Sequence, residues 1–476
     1  MSALETENPA RNRRSVVAVL LIIVIGLLGV AYYLAPRFEW QAPQIKLARD
    51  TDVLGLAPLE IVVTDQGAGL KSVTATLTSG GTEHTLASEE YSPPTAEKKI
   101  TVLLSSKLAG VKEGPAVLRV SARDGSLWNF FRGNETVIQK NLTIDITPPT
   151  LELIADDRYV NFGGVGVIVY KPSADTVTSG VRIGDYFFPG YQGQIKTHPD
   201  HYIALFAQPY NVPVDAKGVL VATDKAGNTK EMPLVYEVKN VKYKKSTIAL
   251  SDNFLQSKIA PLLNDIGARQ GTPKEVFVRV NKGLRKENED KIVAITKKST
   301  PSILWKGAFS QLSNSKVEAN FADERTYTYN NEKIDTAYHL GYDLSVTKHY
   351  PVEAANSGTV AFAGDLGIYG NAVILDHGLG LFTLYGHLSS IDVKVGDPIK
   401  QRQIIGKTGE TGLAAGDHLH YGVYLNGVAI LPVEWWDPKW INDNIEPKLE
   451  GKSGEAIAES QQSKAPRKSA HKRRRR

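Results

Sequence analysis

The pattern of apolar and polar positions divides this chain into regions of different kinds. Residues 16–34 are nineteen consecutive residues without a charge. As a helix at about 1.5 Å per residue they would span about 28 Å, close to a bilayer core. Residues 44–240 show short runs rich in Val, Ile and Thr, separated by Gly, Pro and Asp, which is typical of β-strands. Residues 241–305 have helical spacing and more charge, and the strand pattern returns over 306–445.

The apolar run predicts a transmembrane helix over residues 15–35. Arg11, Arg13 and Arg14 precede it. Because positive charge favours the cytoplasmic side, residues 1–14 would be cytoplasmic and the bulk of the chain would be exported. A cleaved signal peptide is the alternative, but the run is longer than the usual apolar region of about 7–15 residues and no clean A-x-A site follows it.

The strand-rich part is predicted to form two immunoglobulin-like β-sandwiches, over residues 41–147 and 148–240. Two similar segments, VLRVSARDGS at 117–126 and VLVATDKAGN at 219–228, each place a strand before a turn. One larger β domain is the alternative. The turns are interpreted as simple turns rather than calcium sites, because no longer run of acidic ligands accompanies them. The expected fold class is mainly β.

The C-terminal part is predicted to hold a helical connector (241–305), a further β-rich domain (306–445) and a disordered basic tail (446–476). The last thirteen residues, from Lys464, carry eight cationic side chains and no acidic one, so the rest of the chain has a formal net charge of −3 rather than +5. Because the tail would lie outside the membrane, attraction to anionic wall or lipid surfaces is favoured over nucleic-acid binding. A merely solvated tail is the alternative.

Histidines carry the candidate chemistry of this chain. Cysteine is absent, which excludes disulfides, cysteine–zinc sites, iron–sulfur clusters and a thiol nucleophile. Six of the ten histidines fall within residues 339–420, in or near the pieces HLGYD, YGHLS and DHLHYGV. His418 and His420 are two apart, so on a strand they share one face. His339 and Asp343 are four apart, and a loop or strand end could bring them together.

This combination of residues suits a catalytic zinc site, which needs about three protein ligands and an open position for water. The metal makes that water a usable nucleophile and polarises a carbonyl group. Candidate ligands are His339, Asp343 and one histidine of the H-x-H pair. The other histidine of the pair and His387 would serve proton transfer and charge stabilisation. The motif HExxH is absent, so this is not a helix-borne protease site of that kind.

The three pieces, in this order, resemble the lysostaphin-like zinc endopeptidases, the family of LytM domains that cut peptide stems and bridges of bacterial peptidoglycan. The likeness extends over most of residues 335–430, through VEAANSGTVAFAG, AVILDHGLGLFTLYGHLSS and GDHLHYGVYLNG. It implies a compact antiparallel β domain with its site in a groove and one Zn²⁺ per catalytic domain.

Residue by residue, the resemblance makes His339, Asp343 and His420 the zinc ligands. It makes His387 and His418 the catalytic pair, one taking a proton from the zinc-bound water and the other stabilising the tetrahedral oxyanion. Some members of the family have lost such residues and act as activators of other hydrolases. All five are present here, which favours activity.

Other residues near the cluster are given structural interpretations. His377 is expected to be structural and His349 to lie at the surface. Four further residues could line the groove or belong to the core or the surface: Tyr385, Tyr421, Arg325 and Tyr327.

The leading hypothesis is a zinc endopeptidase anchored in the bacterial inner membrane, with its bulk in the periplasm or extracytoplasmic space. Its substrate would be peptidoglycan stems and cross-links, and the β-sandwiches could bind envelope proteins; no nucleic-acid partner is expected. The main alternative is a non-enzymatic cell-wall or division factor whose groove binds peptide or a partner hydrolase. A weaker one is a polybasic surface adaptor. The sequence leaves open the bond cut, the oligomeric state and whether the connector makes the enzyme latent.

Overall fold

A computed structural model describes residues 9–104, 111–265, 267–457 and 459. The predicted basic tail from Lys464 lies outside these residues. The chain separates into two compact units: residues 1–148 with 223–229, and residues 149–222 with 230–476.

The first unit begins with a long apolar helix, Pro9–Leu34, followed by a helical turn, Ala35–Arg37. The stretch Val16–Tyr33 has a mean hydropathy of 2.8, and none of it is buried. At about 1.5 Å per residue it is about 27 Å long, so by length and composition it could cross a bilayer.

The rest of the first unit is a β-sandwich. Its strands among the described residues are β1 Gln44–Leu47, β2 Val53–Leu54, β3 Leu59–Thr64, β4 Leu70–Ser79, β5 Thr82–Thr95, β6 Glu97–Val102, β7 Gly114–Asp124 and β8 Glu135–Ile144. They form two sheets, in the orders β1-β3-β6 and β2-β8-β7-β4-β5. In β3, Leu59, Ile61 and Val63 are buried and their neighbours are not. Because side chains alternate along a strand, one face of each sheet enters a common core.

Residues 149–240 hold further strands: β9 Leu151–Ala155, β10 Tyr159–Asn161, β11 Val165–Pro172, β12 Thr176–Ile183, β13 Tyr186–Pro189, β14 Tyr191–Gln192, β15 Tyr202–Ala207, β16 Val219–Asp224, β17 Thr229–Pro233 and β18 Glu237–Lys239. Their sheets have the orders β14-β15-β11-β9, β13-β12-β16-β17 and β10-β18. Val167 and Phe206 belong to one apolar cluster with Leu344 and Val423 of the C-terminal domain. This strand region and that domain therefore share a core.

Helical segments follow, as predicted for the connector: Asp252–Phe254, Leu255–Ile259, Ala260–Leu262, Gly267–Arg269, Pro273–Val278, Arg279–Leu284 and Arg285–Thr296. Thr272 begins one of them with a capping box, in which its hydroxyl accepts from the amide of Glu275 and the Glu275 carboxylate accepts from the amide of Thr272. Phe277 packs with Phe382 of the C-terminal domain. The helices thus cover one face of that domain.

The C-terminal domain is antiparallel for the most part. Its strands, with one from the connector, are β19 Lys245–Ala249, β20 Lys316–Ala319, β21 Asp323–Tyr329, β22 Glu332–His339, β23 Tyr342–Ser345, β24 Pro351–Glu353, β25 Gly358–Asp365, β26 Asn371–Gly378, β27 Leu381–Leu388, β28 Ser390–Ile391, β29 Pro398–Ile399, β30 Ile404–Lys407, β31 Leu419–Leu425 and β32 Val428–Ile430. The main sheet has the order β20-β23-β31-β27-β26-β25-β29, with β32 beside β31. Two smaller sheets have the orders β19-β21-β22 and β24-β30-β28.

Both faces of the main sheet are covered. Ile374 of β26 lies in the cluster with Phe277 of the connector, whereas Val373 and Leu375 lie in the cluster with Trp435. Trp435 belongs to the helix Pro432–Trp436, which the helices Pro438–Asn444 and Glu446–Leu449 follow. The expectation of a mainly β chain with an N-terminal apolar helix is confirmed.

Two local expectations differ from the structure. Strand β19 lies within the predicted helical connector and pairs in parallel with β21. The predicted disorder from residue 446 does not hold for 446–457, because a helix begins at Glu446 and Lys448 forms a buried ion pair with Asp157. The buried ammonium group of Lys448 also donates to the carbonyl of Asn444, so its charge has partners inside the fold.

Candidate metal centre and active site

Strand pairing brings the separated histidines together. His339 ends β22, Asp343 lies on β23 and His420 on β31. Asp343 is paired with His420 across β23 and β31, and Gly386 is paired with His420 across β27 and β31. His387 therefore lies one residue from a direct neighbour of His420. The fold thus places on one side of the domain site residues that are spread over 82 positions of the sequence.

Three potential metal-ligand atoms converge at this point. The Nε2 atom of His339 lies 2.9 Å from Oδ1 of Asp343, and Nδ1 of His420 lies 3.1 Å from the same oxygen. The two ring nitrogens are 3.1 Å apart. These atoms are of the types that bind first-row divalent metals, with two imidazoles and one carboxylate.

Contacts with residues outside the cluster fix how the ligand atoms of His339 and Asp343 face the site. Nδ1 of His339 lies 2.9 Å from the carbonyl oxygen of Asn320, which can only accept, so Nδ1 carries the proton and Nε2 presents a lone pair. The second oxygen of Asp343, Oδ2, accepts from the guanidinium of Arg325 at 3.1 Å. Such contacts orient ligands around metals.

The cluster lacks the hydrogen atoms that would hold it together without a cation. Nε2 of His339 and Oδ1 of Asp343 are both acceptors. His420 can bring at most one proton to the contact, and its own Nε2 is buried without a hydrogen-bond partner among the described residues. A divalent cation would satisfy all three converging atoms at once. The residues present therefore fit a metal ion.

His418 and His387 lie beside the three donors. Nε2 of His418 is 3.5 Å from Oδ1 of Asp343, and the His387 and His418 rings are 4.8 Å apart. Nδ1 of His418 donates to the carbonyl of Gly416, and Nδ1 of His387 to that of Thr411, each at 2.8 Å. Both Nε2 atoms are thus left as lone pairs for chemistry in the site.

The backbone of His387 is held in an unusual conformation. Its φ is +63°, a region that non-glycine residues avoid and that is found where surrounding structure dictates it, often in functional sites. The flanking strand residues are fully buried, so the fold supports this geometry.

Burial and mutual contacts shift the pKa values of the Asp343 carboxyl group and of the neighbouring histidine rings. Burial alone would raise the pKa of Asp343, but His339, His418 and His420 hold it well below its ordinary value. Burial lowers the pKa of His420 to about 4 and that of His387 to about 3. For His418, burial opposes the charged form, yet the contact with Asp343 prevails and its pKa is raised. Asp343 is therefore anionic, as a metal ligand must be.

A cavity of about 210 Å³ opens next to these residues. One side comes from the C-terminal domain and the other from the connector. Besides the four histidines and the aspartate of the site, it is lined by Ile248, Leu250, Phe254, Phe277, Arg285, Arg325, Tyr327, Ile368, Tyr369, Leu413 and Ala415. The cavity is mostly apolar, and two arginines line it.

The other residues singled out in the sequence take different positions. His377 is buried away from the cavity, where its ring contacts the Ser357 carbonyl and the Thr383 hydroxyl, both at 2.7 Å. His349 is exposed. Tyr385 and Tyr421 are buried and meet edge to face in the core. Of the two remaining candidates, Arg325 and Tyr327 both line the cavity.

Sequence reasoning missed two parts of the site. The ring of Tyr369 lies 5.3 Å from that of His420, and Arg285 enters the cavity from the connector. Tyr369 follows Gly367, which has a φ of +57°. The glycines of GIYG give a local signal of a tight turn, but nothing in the sequence shows that this turn faces the histidines. Arg285 lies in a charged helical segment without any such signal.

Comparison with known proteins identifies the domain. A family model described as peptidase family M23 matches residues 337–432. These residues belong to peptidase family M23. The match contains all five site residues, and the expected resemblance to lysostaphin-like peptidases is confirmed.

Three similar proteins illustrate how much of each chain the likeness covers. The DD-carboxypeptidase/endopeptidase Mpg of Neisseria meningitidis is 40% identical over 95 residues, 20% of this chain and 22% of that protein. The peptidoglycan DD-endopeptidase ShyA of Vibrio cholerae is 33% identical over 112 residues, 24% of this chain and 25% of that protein. The crystal structure of the catalytic domain of lysostaphin from Staphylococcus simulans is 31% identical, with a TM-score of 0.23, and the match covers 26% of this chain and 92% of that one. The chain thus spans about a quarter or less of the two curated relatives.

Proposed function

We propose that this protein is a membrane-anchored zinc endopeptidase that hydrolyses peptide cross-links of bacterial peptidoglycan. The observation that carries the proposal is the convergence of three potential ligand atoms, from His339, Asp343 and His420, beside the Nε2 atoms of His387 and His418. The M23 domain and the relatives Mpg and ShyA support the reaction and the substrate.

His339, Asp343 and His420 would hold one zinc ion. When bound, zinc would polarise the peptide carbonyl and lower the pKa of a water molecule. Of His387 and His418, one accepts the proton of the attacking water and delivers it to the leaving amine, as the C–O bond forms and the C–N bond breaks. The other, with an Nε2 proton taken up from solvent, stabilises the oxyanion. Their Nδ1 contacts with Thr411 and Gly416 keep both rings pointed at the reacting atoms.

The cleft suits a branched peptide with free carboxylates. Arg285 and Arg325 are the arginines that line it, among mostly apolar side chains. Cross-links between D-alanine and diaminopimelate carry such carboxylates, so we take these as the substrate bond. Two arginines can bind carboxylates through paired hydrogen bonds.

The N-terminal helix would anchor the enzyme in the inner membrane, with the M23 domain in the periplasm. The stretch Val16–Tyr33 has the length and hydropathy of a membrane span, and the three arginines before it favour a cytoplasmic N-terminus.

A non-enzymatic wall or division factor is the second candidate. Connector residues Leu250, Phe254 and Phe277 form one wall of the cavity and narrow it. A narrow cleft could hold a peptide or partner without cutting it, and family membership by itself fits both functions.

The test is metal content together with cleavage of defined cross-linked muropeptides, read by mass spectrometry, for the intact chain. We expect one zinc per chain and new peptide ends. His418→Ala should remove cleavage, while His349→Ala, which alters an exposed histidine, should not. An intact protein that holds zinc but makes no new ends, also after Phe254→Ala widens the cleft, would exclude the enzyme and favour the second candidate.

A further inference from the structure

An exposed aromatic loop lies at one end of the first sandwich. It consists of residues 127–132, between β7 and β8, with the sequence LWNFFR. Phe130 is 93% exposed and Phe131 71%, and Trp128 is also exposed. Exposure of large aromatic side chains to water is unfavourable, so a contiguous exposed group of them marks an interaction surface.

This loop is joined to the segment that follows the N-terminal helix. The amide of Leu127 donates to the carbonyl of Arg37 at 2.6 Å, and the Phe131 and Phe38 rings meet edge to face at 6.4 Å. Phe38 is exposed too, and Trp40 is 77% exposed. Two joined segments a few residues beyond the end of the apolar helix at Leu34 thus carry five exposed aromatic rings, called the aromatic patch below: Phe38, Trp40, Trp128, Phe130 and Phe131.

The backbone of the loop is strained, and burial of its side chains does not compensate for that strain. Asn129, Phe130 and Phe131 have φ values of +49°, +56° and +64°. Asparagine tolerates this region, but a phenylalanine there is unfavourable because its Cβ lies too close to the backbone. Within the described chain, neither of these two rings is buried. A strained turn that holds aromatic rings in solvent is expected where those rings contact something else.

We propose that the aromatic patch docks into the outer interface of the bilayer that the N-terminal helix spans. The proposal rests on the membrane anchoring put forward above. Aromatic rings favour the headgroup level of a membrane, and the patch follows a helix whose apolar length ends just before it. Arg37 and Arg132, exposed beside the rings, can reach lipid phosphates. The docked loop holds the first sandwich at the membrane surface.

The absence of cysteine allows a direct test in the full-length chain. The single-cysteine variant Phe130→Cys is labelled with an environment-sensitive fluorophore and reconstituted in vesicles of phosphatidylethanolamine and phosphatidylglycerol. Nitroxide-labelled lipids then report contact by quenching. Since residue 130 is exposed, the substitution leaves the core intact.

Glu83→Cys is the matched control. Leu70 of β4 pairs with Asp124 of β7 and Ser79 with Ala116, so the turn between β4 and β5 lies at the other end of the sheet from the loop. At about 3.3 Å per residue the two ends are roughly 30 Å apart. Glu83 is exposed as well.

We expect strong quenching and a blue-shifted emission at position 130, and neither at position 83. Equal, water-like emission at both sites in a chain that resists carbonate extraction would overturn the docking while leaving the anchor intact. A chain that carbonate extracts would instead refute the anchor, and with it the docking. Disulfide formation between two unlabelled copies of the Phe130→Cys variant, without lipid quenching of the labelled form, would assign the patch to self-association and overturn the proposal.

Discussion

Two clusters of potential metal ligands occupy different parts of this molecule, and their contrast shows what makes a site. Glu39, Asp65 and Asp124 in the first sandwich bring three ligand atoms within 4.8 Å, as do His339, Asp343 and His420 in the M23 domain. In the acid cluster the oxygens accept from backbone amides: Glu39 from Ala68, Asp65 from Gly69, and Asp124 from Ser126 and Asn134. In the histidine cluster Nε2 of His339 and Oδ1 of Asp343 are acceptors that face one another, and Nδ1 of His420 can bring at most one proton to them.

The two clusters also differ in the direction of their carboxyl pKa shifts. Burial and Asp124 raise the pKa of Asp65, and burial and Asp65 raise that of Glu39. Asp343 has its pKa lowered by the imidazoles around it. The carboxylates of the acid cluster accept from turn amides, whereas Asp343 is stabilised as an anion by the imidazoles around it. Close spacing of residues that can bind metals is therefore not sufficient for a metal site. What decides is whether their ligand atoms already accept hydrogen bonds from other groups.

The largest contrast is expected for His420→Ala. Because it removes one of the three converging atoms, zinc should fall to background, and muropeptide cleavage should drop by roughly 10³-fold or more, since a metal stabilises the transition state by several kcal/mol. Elemental analysis and mass spectrometry measure both. Full zinc occupancy in this variant would contradict the assignment of His420 as a ligand.

His418→Ala should separate chemistry from metal binding. Zinc should remain bound, because His418 lies beside the three proposed ligands and is not one of them. Cleavage should fall by roughly 10²–10⁴-fold. The same split is expected for His387→Ala. Loss of zinc together with activity in both variants would show that they are ligands instead.

Asp124→Ala should affect stability and not catalysis. It leaves the buried amide of Ser126 and the half-buried amide of Asn134 without the acceptor they use, so the first sandwich should lose about 2–4 kcal/mol of unfolding free energy. Urea denaturation followed by hydrogen exchange in β4 and β7 measures this.

The control for Asp124→Ala is Glu90→Ala. Glu90 is an exposed acid of the same sandwich, and its replacement should change stability by less than about 0.5 kcal/mol. Unchanged stability of Asp124→Ala, or a loss of zinc from the M23 domain, would contradict the contrast between the clusters.

Arg325→Met should weaken zinc binding without abolishing it. Arg325 bonds Oδ2 of Asp343 and so leaves Oδ1 to face the imidazoles; loss of such an outer contact costs roughly 10–100-fold in metal affinity. Competition with a chelator measures the affinity, and Arg325→Lys should recover part of it. Unchanged zinc affinity in Arg325→Met would contradict the orienting role, and a loss of cleavage would then report only the contact with the substrate that is proposed above.

The smallest effect is expected in the pH dependence of the first sandwich. Because the folded state raises the pKa of Asp65 and Glu39, it binds more protons than the unfolded chain above their ordinary pKa values near 4. Their contribution to stability is therefore fully present below those values and is lost as the pH rises through the raised ones. Asp65→Asn should flatten this slope in urea titrations between about pH 4 and neutrality. A slope of opposite sign, or one that the substitution leaves unchanged, would refute the role of these acids.

Several elements could be predicted because their signal is local. Alternating apolar residues such as Leu59, Ile61 and Val63 predict strands with one buried face, and the capping box at Thr272 and the charged periodicity beyond it fit helices. The family was predictable because its motifs occur in a fixed order, and that prediction is confirmed. The roles of the individual site residues stay predictions.

Other elements depend on partners distant in the chain. Strand β19 forms because β21 offers an edge with which it pairs. The C-terminal helices are ordered because Asp157 neutralises Lys448 and because Trp435 fills the core beneath the main sheet. Neither partner is within reach of a sequence window, so the local pattern suggested a helical connector and a disordered tail.

The sequence by itself determined the residue types of the site, since histidines and an aspartate in the order of the M23 motifs leave few other chemistries. It also determined the apolar helix, whose hydropathy needs no tertiary context. Only the tertiary structure decided which ring nitrogens face one another, that Arg285 and Tyr369 join the site, and that aromatic rings stand beside the end of the apolar helix. These outcomes depend on strand register and on backbone carbonyls that bind one nitrogen of each ring, and both are set by contacts between residues far apart in the chain.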